Sequence, residues 1–408
     1  MKRIGIIGGG ASGLMAAISA SEAGAKVTVF EHNNECGRKI KATGNGKCNL
    51  TNTFLRSSAY HSSSDKDLNR YFGQFDQEDA LMFFRKSGLM MYEKDTYVYP
   101  LCNQAYVVRD ILLHRCRENG VKILTDHTVN DISLKDSVYT VCANGTGYEF
   151  DRVIMACGSY AGINDNDRID SNDDGYSLSY HLGHSIVKVR PSLVPVNCSD
   201  DFCKKLKGVR MNAKVTLTLD DAPAAEEYGE VQFTDYGISG IVVFQLSRYI
   251  AMEKERNKLL ILDLMPDMSE EELKNFLHFR DITGIYMTAG DFLMGMFNKA
   301  VNEVLLDIMK IDPEADHESE LSQRLDELAS LIKGFTMHPT SVKSYPHAQC
   351  CCGGVSLDEI DDSCESLIND GLYYCGEIID VDGICGGYNL QWAWTTGYIA
   401  GRAAASEP

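Results

Sequence analysis

Gly8, Gly10 and Gly13 are spaced as G-x-G-x-x-G, and Glu31 closes the segment that follows them. These residue types can hold a dinucleotide. The first glycine allows a tight turn, the second lets backbone approach a pyrophosphate, and the third lets a helix lie close to a strand. A helix opening at this turn offers free N–H groups and a positive dipole end to phosphates. An acid at the end of the second strand accepts hydrogen bonds from ribose hydroxyls.

The elements that must position these groups are legible around them. Lys2–Ile7 is a short β-branched run, as a buried parallel strand is. A helix is expected from about Ser12 to Ala23, with Leu14, Met15 and Ile18 on its packing face and Gly24 ending it. Glu31 then closes a second strand. The glycine spacing therefore sits in the strand–turn–helix–strand context the motif requires.

Three further stretches carry placed groups. CGRKIKATGNGKCNLTN, from Cys36 to Asn52, combines Gly37, Gly44 and Gly46 with Arg38, Lys39, Lys41 and Lys47, and with Asn45 and Asn49. It has little apolar periodicity and reads as a loop whose cations can neutralise phosphate. Cys36 and Cys48 have neither C-x-x-C nor C-x₄-C spacing, so non-redox roles are favoured, with Cys48 a small side chain against a cofactor. The small residues Ala156–Ser159, with Gly158, end a buried strand and suggest a second close approach of backbone to ligand. Near the other end, Leu372–Cys375 reads as a strand, and Gly376, Gly383, Gly386 and Gly387 form a glycine-rich turn. A small-residue helix, Leu390–Ala405, follows, and its start near Asn389 can face an electron-rich ligand group.

No metal site is expected. Cys350–Cys352, with His347 close by, lack a second pair at ligand spacing. The acidic run Asp165–Asp174 lacks the glycine and closing glutamate of a calcium loop and reads as a solvated loop.

Elsewhere, residues 65–92 read as an amphipathic helix with Leu81, Phe83 and Phe84 inward. Thr96–Pro100 (TYVYP) reads as a strand, and Ala105–Asn119 as a helix closed by Gly120. A hairpin turns at Asn144-Gly145. From Pro191 the texture becomes short strands, MNAKVTLTL, YGEVQFT, GIVVFQLS and KLLILDL, which suggest an antiparallel sheet or partial barrel. Pro266 to Lys333 reads as helical, beginning at a Ser269–Glu272 capping box.

The chain of 408 residues is long enough for two or three folding units. Its formal net charge of −19 opposes non-specific binding to nucleic acid or an anionic membrane. No apolar run is long enough to span a membrane, and the N-terminal apolar residues read as the first strand rather than a secretory signal. The 14 cysteines follow no framework spacing, so free thiols in a reducing cytoplasm are expected.

Three blocks, GGGASGLMAA, GRKIKATGNGKCNLTN and GLYYCGEIIDVDGICGGYNLQWAWTTGYIAG, resemble the BaiN-like flavoproteins, the aminoacetone oxidase family of FAD-binding enzymes (YhiN type). VYPLCNQAYVV, PSLVPV and GEVQFTDYGISG carry smaller echoes, so the resemblance spans nearly the whole chain. It implies an α/β fold: a split Rossmann-like FAD-binding domain of the two-dinucleotide-binding flavoprotein type, with inserted β-barrel-like and helical domains. The implied parts are 1–190 and 346–408 for the FAD-binding domain, 191–265 with 334–345 for the β domain, and 266–333 for the helical domain.

The resemblance also implies site residues. FAD pyrophosphate would lie along Gly8, Gly10, Ala11, Ser12 and Gly13, with adenosine ribose at Glu31. Arg38, Lys39, Cys48 and Asn49 would stand beside the cofactor, and a strand residue near Val129 against the adenine. Gly376, Glu377, Gly387, Asn389 and Leu390 would contact the ribityl and flavin. One segment departs from the family pattern: ACGSYAGINDNDRIDSNDDGY is longer and more acidic, and only its D-G-Y end, Asp174–Tyr176, is retained.

Flavin would supply the redox chemistry, and Tyr388, ahead of Tyr236, is the candidate to hydrogen-bond a substrate oxygen. No second glycine fingerprint appears, so NAD(P)H is expected to bind transiently in the cleft. The leading expectation is NAD(P)H-driven reduction of a conjugated C=C bond in a small hydrophobic, steroid- or bile-acid-like substrate. The alternatives are an oxidase of a small amine such as aminoacetone, yielding H2O2, and an FAD-dependent RNA-modifying protein, which the acidic balance opposes.

Overall fold

A computed structural model describes residues 1–163, 174–253 and 255–406. The acidic run, apart from Asp174, and most of the segment that departs from the family pattern lie outside the described residues. The chain divides into two compact units, Met1–Arg190 with Gln349–Pro408, and Pro191–Ala348.

The first unit is built on a five-stranded parallel sheet: β1 (Arg3–Ile7), β2 (Lys26–Phe30), β3 (Lys122–Leu124), β4 (Arg152–Met155) and β5 (Leu372–Tyr374). Their order is β5-β4-β1-β2-β3. The register is parallel throughout, with Ile4 beside both Val27 and Arg152, and Met155 beside Tyr374. Central β1 is covered on both faces, which explains its unbroken apolar run: Ile4 and Ile6 are fully buried. The chain steps outward through β2 and β3, then returns to the other side of β1 with β4 and β5. The order thus reverses between β1 and β4, where an open α/β sheet leaves a crevice beyond its carboxyl ends.

Three helices matter to that crevice: α1 (Ala11–Glu22), α2 (Ala105–Glu118) and α3 (Tyr388–Ala405). α3 lies against α1 at backbone distance. A Cβ on Gly397 would stand 2.5 Å from Ser12 O, and one on Gly401 would stand 2.4 Å from Ala16 O. Both indoles of α3 are buried and reach across to loops, Trp392 Nε1 donating to Gly376 O (3.2 Å) and Trp394 Nε1 to Leu50 O (2.9 Å). The three-stranded antiparallel sheet of 129–135, 138–143 and 146–150 turns at Asn144-Gly145, both at positive φ. Phe150 from this sheet packs on Gly5 of β1, where a Cβ would come within 2.7 Å of its ring.

Residues 65–92 do not form one helix. They form Asn69–Phe72 and Gln77–Lys86, because Asp76 leaves the helical backbone and caps the second through Glu78 N and Asp79 N. Leu81 and Phe84 are buried, and Phe83 only partly.

The second unit holds a seven-stranded antiparallel sheet, in the order 335–337, 258–263, 210–219, 222–234, 237–239, 196–198 and 339–342. GIVVFQLS is not a strand of it: Ile241–Met252 is a helix. Its β-branched residues favour a strand, but Val242, Val243, Leu246 and Ile250 recur at helical spacing and are the buried ones. The Ser269–Glu272 capping box forms and opens the helix Glu270–Thr283. Strand residues such as Val215 and Leu262 and helix residues such as Leu277, Leu305 and Leu328 share one buried core.

Candidate functional site

The carboxyl ends of β1, β4 and β5 bring the first group of predicted residues together. Gly8, at φ +108°, lies so close to the end of β4 that a Cβ would stand 2.3 Å from Ala156 O. Gly13 lies so close to Gly8 that a Cβ would stand 2.0 Å from its carbonyl oxygen. These contacts force the turn tight. Gly10 is the opposite case: no heavy atom lies within 4 Å of where its Cβ would be. The same holds for Gly158, beyond β4. Gly10 is also the N-cap of α1, so the unbonded first-turn N–H groups of Ala11, Ser12 and Gly13 border this open space. A pyrophosphate needs this combination of close backbone, unoccupied volume and free N–H donors.

Glu31 is buried at the end of β2 and is held from both sides. Its Oε2 accepts from Gly9 N at 2.9 Å, and its Oε1 accepts from Asn33 N (2.9 Å) and Asn33 Nδ2 (2.7 Å). The carboxylate therefore ties the glycine turn to the second strand. His32 Nδ1 also stands 3.3 Å from Oε1; Oε2, with Gly9 N as its one hydrogen-bond donor among the described residues, keeps capacity for a hydroxyl donor. The segment after β3 runs alongside, His127 N donating to Glu31 O (2.9 Å) and Asp126 N to Asn33 O (2.9 Å). Val129, buried, begins the antiparallel sheet just beyond. Asn33 has no role in the sequence reading; its spacing of two from the acid is the only signal for it.

A second group surrounds Gly376, at the carboxyl end of β5. Cys375 N donates to Met155 O (3.0 Å), Ser12 Oγ donates to Cys375 O (3.3 Å), and Gly376 N donates to Thr396 Oγ1 (2.9 Å). At φ +78°, a Cβ on Gly376 would stand 2.4 Å from Ser12 Oγ, so this turn, like Gly13, must be glycine. Glu377 follows and pairs with Lys39, and it also accepts from Ser159 Oγ at 2.8 Å. Burial opposes the charge on Lys39, but the Glu377 carboxylate outweighs it and raises the lysine above its ordinary value. Residues 39, 159 and 377, far apart in sequence, thus converge. Arg38 is exposed and donates to Asn33 Oδ1.

The third group joins the 43–52 loop to the start of α3. Asn49 lies between Thr51 O (3.0 Å) and Gly387 N (3.2 Å), its amide oriented to donate to the first and accept from the second. Asn52 Nδ2 donates to Gly386 O (3.1 Å). Cys48 is fully buried, and burial pushes its thiol up to about 12. It is a packing residue and not a thiolate. Leu390 is half-buried in the first turn of α3, whose N–H groups have no partners within the helix.

Two predicted side chains are committed elsewhere. Asn389 bonds Gly383 twice, accepting from its N–H and donating to its carbonyl, both at 2.8 Å. It therefore shapes the turn and offers its neighbours only backbone. Tyr388 is buried, and its hydroxyl donates to Phe54 O at 3.0 Å. A substrate role for Tyr388 would require this bond to be exchanged for one to the substrate. Tyr236 belongs to the second unit, with Lys343 Nζ 3.7 Å above its ring.

The site thus has two glycine turns at helix N-termini, those of α1 and α3, joined through Gly376, Glu377 and Lys39. An elongated cofactor with phosphates at one end and a polar ring at the other fits this arrangement.

A family model described as HI0933-like protein Rossmann domain matches residues 2–403. The 3-dehydro-bile acid delta(4,6)-reductase of Clostridium scindens is 38% identical over 413 residues, covering 100% of both chains. The ribosomal RNA dihydrouridine synthase of Escherichia coli is 25% identical over 403 residues, covering 97% of this chain and 96% of the relative. Among solved structures, 3-ketosteroid-delta4-(5alpha)-dehydrogenase from Rhodococcus jostii RHA1 is similar in fold. It is 14% identical with a TM-score of 0.51, covering 100% of this chain and 97% of that one.

Proposed function

Because the chain belongs to the HI0933-like Rossmann-domain family, the BaiN-type FAD-dependent oxidoreductases, we propose that it binds FAD across the two glycine turns and reduces a C=C bond conjugated to a carbonyl. The substrate is a small apolar molecule of steroid or bile-acid type, and NAD(P)H is the electron donor. The observation that carries this reading is end-to-end identity of 38% with a relative named as a bile-acid reductase.

The chain's residues divide the work. The α1 N-terminus and Gly10 take the pyrophosphate, and Glu31 takes the ribose. Glu377, fixed by Lys39 and Ser159, and the first turn of α3 orient the flavin end. When bound, FAD supplies a hydride acceptor and donor between nicotinamide and substrate.

A shared reaction type favours reduction over amine oxidation. Two relatives, 25% and 27% identical, are named as dihydrouridine synthases, and dihydrouridine is uridine with its carbonyl-conjugated C=C bond saturated. A net charge of −19 opposes a folded RNA as this chain's substrate. All 14 cysteines are free thiols, which supports a reducing cytoplasmic setting.

The test is anaerobic. The purified protein is expected to be yellow, to bleach with NADH or NADPH, and to recover its colour on adding a 3-oxo-Δ4,6 bile acid. Bleaching by aminoacetone with no response to either nicotinamide would replace the reading with the oxidase. Recovery with ribosomal RNA and with no steroid would replace it with the RNA enzyme.

A further inference from the structure

Saturating a conjugated C=C bond needs a proton as well as a hydride, so an acid must stand near the flavin end of the site. The tyrosines around the second glycine turn are the available acids, and most have spent their hydroxyl protons. Tyr60 OH donates to Tyr388 O (2.9 Å), Tyr388 OH to Phe54 O (3.0 Å), and Tyr71 OH to Asp361 O (3.1 Å).

Tyr97 differs. Its ring edge lies against Gly386, where a Cβ would come within 2.6 Å of Tyr97 Cε1. The side chain is half-buried, and its hydroxyl makes no hydrogen bond among the described residues. Its strand, Tyr97–Pro100, places Tyr97 and Tyr99 on one face by period-2 alternation. Tyr99 lies more loosely beside Gly44, its Cε1 3.6 Å from where a Cβ there would be, so this face borders both loops. The position of Tyr97 is fixed: it pairs in register with Asn52, whose side-chain amide also holds Gly386 O. Burial, and then the neighbouring Cys385 and Asp95, raise its phenol above the ordinary value, so it keeps its proton at neutral pH.

We propose that Tyr97 is the catalytic acid that protonates the α-carbon of the substrate's conjugated double bond. The proposal rests on the enone-reductase reading above. Bound FAD, reduced by NAD(P)H, would supply a hydride to the β-carbon and be left oxidised, while the C=C π pair would form the new C–H bond at the α-carbon with the Tyr97 proton. Water would then re-protonate the Tyr97 phenolate.

Tyr97→Phe keeps the ring that packs on Gly386 and removes only the hydroxyl. FAD content, visible spectrum and anaerobic bleaching by NAD(P)H are expected within about twofold of wild type. Flavin reoxidation by the enone is expected to slow by about 100-fold or more, the range for loss of a general acid. Wild-type reoxidation should also fall with loss of one proton above the ordinary phenol range, about pH 10, and the variant should lack that limb. A variant reoxidised at the wild-type rate overturns the proposal. Should the variant lose FAD, the wild-type pH profile decides, and a flat profile overturns the proposal. Failure of the wild type itself to be reoxidised by any enone overturns the reductase reading instead.

Discussion

Gly10→Ala separates cofactor binding from folding. In the protein alone, the new methyl meets nothing within 4 Å, and the backbone at φ −80°, ψ −164° is one that alanine adopts freely. Stiffening the unfolded chain by replacing glycine with alanine contributes about 0.4–1 kcal/mol of stability. Alanine is a poorer N-cap than glycine, which costs a comparable amount, about 0.5–1 kcal/mol. The two nearly cancel, so the apoprotein should melt within a few degrees of wild type.

The outcome changes if the open volume is where a pyrophosphate packs on α1. One methyl forced into a filled contact costs about 1–3 kcal/mol. By the relation between free energy and dissociation constant, that weakens FAD binding about 5- to 160-fold. Fluorescence titration of apoprotein with FAD, alongside thermal melts without cofactor, gives both numbers. A variant that binds FAD with wild-type affinity would show that the volume beside Gly10 is not the phosphate site. Gly13→Ala is the contrasting case: its methyl would stand 2.0 Å from Gly8 O, so that variant should lose stability with or without FAD.

Gly401→Ala gains about 1 kcal/mol in helix propensity. It also drives a Cβ to 2.4 Å from Ala16 O, an overpacking cost of up to about 3 kcal/mol, so urea denaturation should show net destabilisation. Burial raises the thiols of Cys48, Cys157, Cys351 and Cys375 to about 12; iodoacetamide at pH 8 should therefore label exposed Cys102 long before these, as peptide mass spectrometry would show. Burial depresses His184, although Glu359 opposes this, so the unfolded chain binds its proton first. Stability should fall as pH drops from about 6.5 toward the lower folded value, and His184→Asn should flatten that part of the urea-midpoint profile.

The strand–turn–helix at the start was readable because its constraints are local. Gly8 and Gly13 are needed by contacts within one βα turn, and the acid lies at the end of the next strand. Across 65–92 the amphipathic pattern is continuous, yet one capping aspartate, Asp76, outweighs it and starts a new helix. Ile241–Met252 has the β-branched composition of a strand, yet its buried residues recur at helical spacing, and burial decides. The partner of the Tyr388 hydroxyl, Phe54 O, lies more than three hundred residues away, so no local pattern shows it. Nothing in TYVYP distinguishes Tyr97 from Tyr99 or from a packing tyrosine until Gly386 is seen against it.

The separation of β4 from β5 has a consequence for biosynthesis. The two strands pair directly, yet 216 residues lie between Met155 and Leu372. At a translation rate of about 5–20 residues per second, β4 waits about 10–45 s for its neighbour. During that interval Val153–Met155 present an unpaired edge, an aggregation hazard for a nascent chain. The intervening Pro191–Ala348 is continuous in sequence and can compact meanwhile. Gly376 and α3 emerge after β5, so the end of the site proposed to hold the flavin is assembled late. Starvation for riboflavin, or slow translation, should therefore lower the soluble yield of this protein more than its folded stability would suggest.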